Sequence, residues 1–190
     1  MGHKYDGILE LKKLGLNVGE IKEFSYKEKD NLLKYAKFLD DTKGGFSVRT
    51  DFPPGDKRMG INLPILKDPT LDSLSKFVEK HQDKLTYLIY QKRDYNKVLW
   101  QGKLWLDDMK VLHGEVNFKD KGINIRKALE RTENLELINC GMGNYDERFI
   151  QVRSDLFKAK VGSNACVTAS AYDEDGKVVI YYKELRRKLI

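Results

Sequence analysis

Ile8, Leu11 and Leu14 recur at helical spacing between Gly7 and Leu14, and Gly15 follows as a natural stop, so the first element is predicted to be a short amphipathic helix. Glu20 to Tyr26 reads as extended. Asp30 is placed to cap a second helix in which Leu32, Tyr35, Ala36 and Leu39 share a face. After Gly44-Gly45, the residues Phe46, Val48 and Thr50 alternate with Ser47, Arg49 and Asp51, the period of a strand. Pro53-Pro54-Gly55 ends that strand, and Asp56 to Pro64 reads as a basic, mobile loop. Thr70 caps a third helix carrying Leu71, Leu74, Phe77, Val78 and His81 on one side.

The apolar run Leu85 to Gln91 suits a central strand covered on both faces. Val98 to Trp105 and Lys110 to Phe118 read as a hairpin turning at Leu106-Asp107-Asp108-Met109. A fourth helix is expected over Ile125 to Glu133, a loop at Gly141-Met142-Gly143-Asn144, and three closing strands at Arg148 to Ser154, Ala165 to Tyr172 and Lys177 to Tyr182. The last two are joined by Asp173-Glu174-Asp175-Gly176, a strong hairpin turn. About four helices and seven strands in this order predict an α+β fold with mixed, mostly antiparallel sheets and helices on one side. A break near Pro64 to Asp68 divides the expectation into an N-terminal lobe, 1–66, and a C-terminal lobe, 67–190.

Composition narrows the class. The chain has 190 residues, 41% hydrophobic and 34% charged, enough apolar content for an ordinary core. No apolar run approaches the length of a membrane span, and Met1 to Asp6 lacks a signal peptide's apolar segment, so the expectation is a cytoplasmic protein without a membrane partner. Thirty-five basic residues against 29 acidic ones give a net charge of +6, an excess that attracts phosphate but is dispersed through the chain. Only Lys183 to Lys188 is a dense basic cluster.

Candidate chemistry is sparse. The histidines His3, His81 and His113 have no metal-binding spacing, and Cys140 and Cys166 form neither a zinc pair nor a nucleophile signature. Ser163 and Ser170 lack a GxSxG setting, and there is no P-loop. Arg49, on a strand that precedes a flexible loop, either holds a phosphate bidentately or pairs with Asp51 on an exposed edge.

A resemblance adds to this. Lys4, Leu9, Leu14-Gly15-Leu16 and Val18 look like the opening of the ATP-grasp module of phosphoenolpyruvate synthase and pyruvate phosphate dikinase. Phe46-Ser47-Val48-Arg49-Thr50 resembles that family's V-R-S-S strand, and Leu88-Ile89-Tyr90-Gln91 its strand ending in Gln. Asp175 to Glu184 resembles the closing strands. The resemblance implies two small ATP-grasp-like lobes binding Mg-ATP, for phosphoryl transfer or ligation to an unknown acceptor. Lys4, Arg49 and Arg153 would neutralise phosphates, Gln91 would read the adenine edge, and Glu184 would hold Mg²⁺. Thr50 stands where the family has its second Ser, no Glu-Asp pair follows it, and the closing acids are reduced to Glu184. A catalytically inactive ATP-grasp-like scaffold is therefore an alternative.

The other alternative is a basic, single-stranded nucleic-acid-binding module. Tyr87, Tyr90, Trp100 and Trp105 are interleaved with Lys92, Arg93 and Lys103, a pattern that can stack bases while cations track phosphates. The alternation in Lys97 to Trp105 puts Trp100 with the apolar set and leaves Trp105 as the better exposed platform.

Overall fold

The computed structural model describes residues 4–52, 63–64, 66, 69–81, 85–118, 136–140 and 146–187. The chain divides into two compact units, Gly19–Arg93 on one hand and Met1–Val18 with Asp94–Ile190 on the other. The boundary expected at 66/67 falls inside the first of these, where strand pairing joins residues from both sides of it.

Helix α1 (Lys4–Lys13) belongs to the larger unit, and the smaller contains β1 (Ile21–Ser25), α2 (Lys29–Lys43), β2 (Phe46–Asp51), α3 (Leu71–Lys80) and β3 (Thr86–Gln91). Its strands form an antiparallel sheet in the order β1-β3-β2. The apolar run of β3 therefore becomes the central strand, as its composition predicts. Leu32, Tyr35, Ala36 and Leu39 of α2 are all buried, packed with Leu74 and Val78 of α3 against Phe24, Phe46, Tyr87 and Ile89. The helix begins before the expected cap: Glu28 is its N-cap, and Asp30 lies in the first turn, where a carboxylate suits the helix dipole. Gly44, at φ 72°, ends it in the left-handed conformation. Thr70 caps α3, its hydroxyl accepting from the Ser73 N–H at 3.2 Å.

The larger unit holds α1, β4 (Val98–Leu106), β5 (Leu112–Phe118), β6 (Glu136–Cys140), α4 (Glu147–Lys158), β7 (Ala165–Glu174) and β8 (Lys177–Arg187). Its five strands are antiparallel in the order β6-β5-β4-β7-β8. Every described strand pair is thus antiparallel, and four helices are described, which is the α+β class the sequence predicts. The outer edge of β8 is protected by Asn17, whose carbonyl accepts the Tyr182 N–H at 2.8 Å and whose side chain donates to the Ile180 carbonyl at 3.0 Å. Asp175 (φ 56°) and Gly176 (φ 80°) both adopt the left-handed conformation in the β7–β8 turn.

Two expectations are corrected. The segment Arg148 to Ser154 is helix, not strand. Asp146 caps it, accepting from the Arg148 N–H at 3.1 Å, and Phe149, Val152 and Leu156 form its buried stripe at helical spacing. Cys140 ends a strand, β6, that the sequence reading did not find. The helix expected at Ile125 to Glu133, the loop at Gly141 to Asn144 and most of the loop from Asp56 to Pro64 lie outside the described residues.

Trp100, Leu104, Val116 and Phe118 share the sheet face that meets α4, with Trp100 and Phe118 ring centroids 5.0 and 5.9 Å from Phe149. Gly102 lies on that face too. A Cβ there would stand 2.4 Å from the Glu115 carbonyl oxygen and 2.9 Å from the Val116 Cα, both backbone. Gly102→Ala is therefore expected to destabilise the protein by about 1–3 kcal/mol, read as a lowered urea midpoint with an unchanged m-value.

Candidate functional site

The two sides of each sheet set where the candidate residues go. In the smaller unit, Phe46, Val48 and Thr50 are opposite Gln91, Ile89 and Tyr87 in the strand register, and this face packs on the helices. Gln91 belongs to it. Arg49 is opposite Leu88 and points to the other face, half-buried. The side chains of Arg49 and Gln91 are thus not brought to a common face. Among the described residues Arg49 has no ion-pair partner, Asp51 included; Asp51 is buried and accepts the Phe52 N–H at 2.9 Å. The Thr50 hydroxyl is committed to structure, donating to the Pro64 carbonyl at 2.7 Å.

In the larger unit one face is covered by α4 and the other is polar. Arg153 lies on α4, and its Nε donates to the Lys110 carbonyl at 3.1 Å, tying the helix to the β4–β5 turn. Lys4 is the first residue of α1, which packs along β8: a Cβ on Gly7 would lie 3.0 Å from the Leu185 carbonyl oxygen. Glu184, opposite Thr168 in the register, lies on the polar face, so α4 places Arg153 on the opposite side of the sheet from Glu184. The register aligns Lys103 and Glu115 with Thr168 on that same face, and Cys166 with Arg186.

A second feature of this face escaped the sequence reading. Asn117, Gln101 and Ser170 stand directly opposite one another across β5, β4 and β7, and are 1%, 1% and 0% exposed. Among the described residues, Asn117 Oδ1 and Ser170 Oγ have no hydrogen-bond partner. Three polar residues on three strands make a row only once the register is known, so no local motif signals them. The row is uncharged. Buried and neutral, it belongs to the interior of the unit and cannot neutralise phosphate.

Glu184 was the expected Mg²⁺ ligand. Its carboxylate is forked by Arg186, with Nε to Oε1 at 3.1 Å and Nη2 to Oε2 at 3.2 Å. The neighbouring acid on this face, Glu115, is paired with Lys103 at 3.8 Å and lies three strand steps away, roughly 14 Å. Among the described residues no group of three His, Cys, Asp or Glu side chains is arranged to hold a metal ion. Of the described carboxylates on this face, Glu184 is thus held by a cation.

The base-stacking platform is also not formed. Tyr87 and Trp100 are 0% and 2% exposed, within the two cores. Trp105 lays its ring against His113, centroids 5.9 Å apart and planes 17° from parallel, while His113 Nε2 meets Asp107 Oδ2 at 2.9 Å. That contact holds the Asp107 carboxyl below its ordinary value, with help from the Val111 N–H. No described helix is long and apolar enough to cross a membrane.

No family model and no curated protein matches the sequence. Solved structures do match. D-alanyl-alanine synthetase A from Vibrio cholerae superposes over 97% of this chain and 54% of its own, with a TM-score of 0.54 and 12% identity. D-alanine-D-alanine ligase from Helicobacter pylori covers 97% of this chain and 53% of its own, with a TM-score of 0.48 and 14% identity. The chain spans about half the length of the solved structures it matches. The first likeness shows the fold, and that fold is ATP-grasp.

Two measurements probe the polar face. Ser170→Ala removes a buried hydroxyl that has no partner, so stability is expected to stay level or rise by about 1 kcal/mol in urea unfolding; a loss above that would show that the hydroxyl is bonded. Cys166 is half-buried, and burial raises its thiol pKa although Lys103 and Arg186 pull it down. Alkylation of Cys166 at neutral pH is therefore expected to be slower than that of a free thiol in an unstructured peptide, measured by mass spectrometry.

Proposed function

We propose that this chain binds ATP through its ATP-grasp fold. The observation that carries the reading is the superposition of 97% of the chain, at a TM-score of 0.54, on an ATP-grasp structure. The sequence resemblance of Phe46 to Thr50 supports it independently, because that segment forms the strand the resemblance requires.

Arg49 is the phosphate contact in this reading. A planar guanidinium presents two parallel N–H donors to phosphate oxygens and stays charged at any working pH. The absence of an ion-pair partner among the described residues leaves those donors available. Gln91, on the opposite face of the sheet from Arg49, and Lys4, which belongs to the other unit, are not included in this reading. Arg153, in the other unit, donates its Nε to the Lys110 carbonyl and is not included in this reading.

The reading is one of binding. Thr50 is used to hold Pro64 and Glu184 is held by Arg186, so neither phosphoryl transfer nor ligation is included. A scaffold that has lost the nucleotide altogether is the competing outcome.

A thermal melt with ATP and Mg²⁺ in the buffer decides between them. Ligand at about 100 times its dissociation constant adds roughly 2.7 kcal/mol of stability. For a chain of this size the midpoint should rise by about 5–10 °C. The rise is expected to be largely lost in Arg49→Ala, whose own midpoint without ligand should stay close to that of the parent. A flat response of the parent protein would sink the nucleotide reading.

A further inference from the structure

We infer that this chain pairs with a second copy of itself through the outward side of α4, the two α4 helices lying antiparallel about a twofold axis beside Ser154. The pairing requires no nucleotide and uses a surface that the nucleotide reading leaves untouched.

Helix α4 buries Phe149, Val152 and Leu156 against the sheet. At 3.6 residues per turn, Glu147, Ile150, Ser154, Phe157 and Lys158 fall on its other side. Two of these are large and apolar, yet Ile150 is 51% exposed and Phe157 58%. They stand two turns apart and form one stripe roughly 10 Å long. Single exposed hydrophobics are ordinary on a protein surface, whereas a stripe along one helix face is what a partner helix covers.

The charges along the helix identify the partner. Arg148 is held by Asp146, Arg153 donates to the Lys110 carbonyl, and Asp155 accepts from the Tyr182 hydroxyl and from Gln151. Among the described residues, Glu147 and Lys158 have no ion-pair partner. They close the two ends of the apolar stripe with opposite signs. A partner of uniform charge would be drawn to one end and repelled at the other. A second α4 running the opposite way suits both ends at once. The twofold axis that lays Ile150 of one copy on the partner's Phe157 brings each Glu147 to within roughly 3 Å, along the axis, of the partner's Lys158, inside the reach of a lysine side chain. Ser154, beside the axis, is small enough to allow a close approach.

One helix pair buries less than the roughly 1,200 Å² of a stable interface, so the dissociation constant is expected between about 1 μM and 1 mM. The test is sedimentation equilibrium of the full chain without nucleotide, across that range of concentration. The parent is expected to pass from monomer to dimer. Phe157→Glu should weaken the dimer by at least about tenfold and leave the thermal midpoint unchanged, because the side chain is exposed. Glu147→Lys and Lys158→Glu should each weaken self-association. An equimolar mixture of those two variants should restore a dimer at least as tight as the parent's, because every end contact is then attractive. A parent chain still monomeric at about 1 mM would overturn the inference and leave the stripe to a different protein. So would a dimer that Phe157→Glu and both charge reversals leave intact, or a mixture no tighter than either variant alone.

Discussion

The alternation along β4 governs what the larger unit can do. Trp100, Gly102 and Leu104 face α4, while Gln101 and Lys103 face the other way, and β5 and β7 are hydrogen-bonded to either side of this strand. A slip of one residue would bury Lys103 beneath α4 and expose Trp100. Gly102 and Gly114 enforce the register, since a Cβ on either would meet the neighbouring strand at 2.4–2.5 Å. The polar row Asn117–Gln101–Ser170 and the charged positions Glu184 and Arg186 are consequences of that register rather than independent features.

The polar face carries its charges as closed pairs, Lys103 with Glu115 and Arg186 with Glu184. The two pairs differ physically. Lys103 and Glu115 are both substantially exposed and 3.8 Å apart, the kind of contact that contributes little in water. Glu184 is largely withdrawn from solvent, and both of its oxygens face Arg186, at 3.1 and 3.2 Å. Removing Arg186 would leave a poorly solvated carboxylate, which is why a cation of some kind is required there.

Local pattern made much of this fold legible. The four buried positions of α2, the Thr70 cap of α3 and the central placing of β3 follow from spacing and composition alone. The segment from Arg148 to Ser154 misled because Ile150 and Val152 also satisfy a strand's alternation; Phe149 and Leu156, flanking them at helical spacing, together with the Asp146 cap, decide for helix. β6 was missed because Leu137, on its polar face, is 82% exposed, so the strand lacks the clean inward–outward pattern that marks the others. Arg49 was readable as a strand residue before a loop. The commitment of Thr50 to Pro64, the row across three strands and the Glu184–Arg186 fork were not readable in advance. Each depends on a partner distant in the chain or on a side-chain geometry that spacing does not fix.

The same distinction separates fold from activity. An ATP-grasp scaffold is specified by sheet order and helix placement, and those tolerate the identity of 12% seen with the Vibrio structure. Turnover depends instead on a few oxygen ligands in an open arrangement around a metal, and one competing cation is enough to close it.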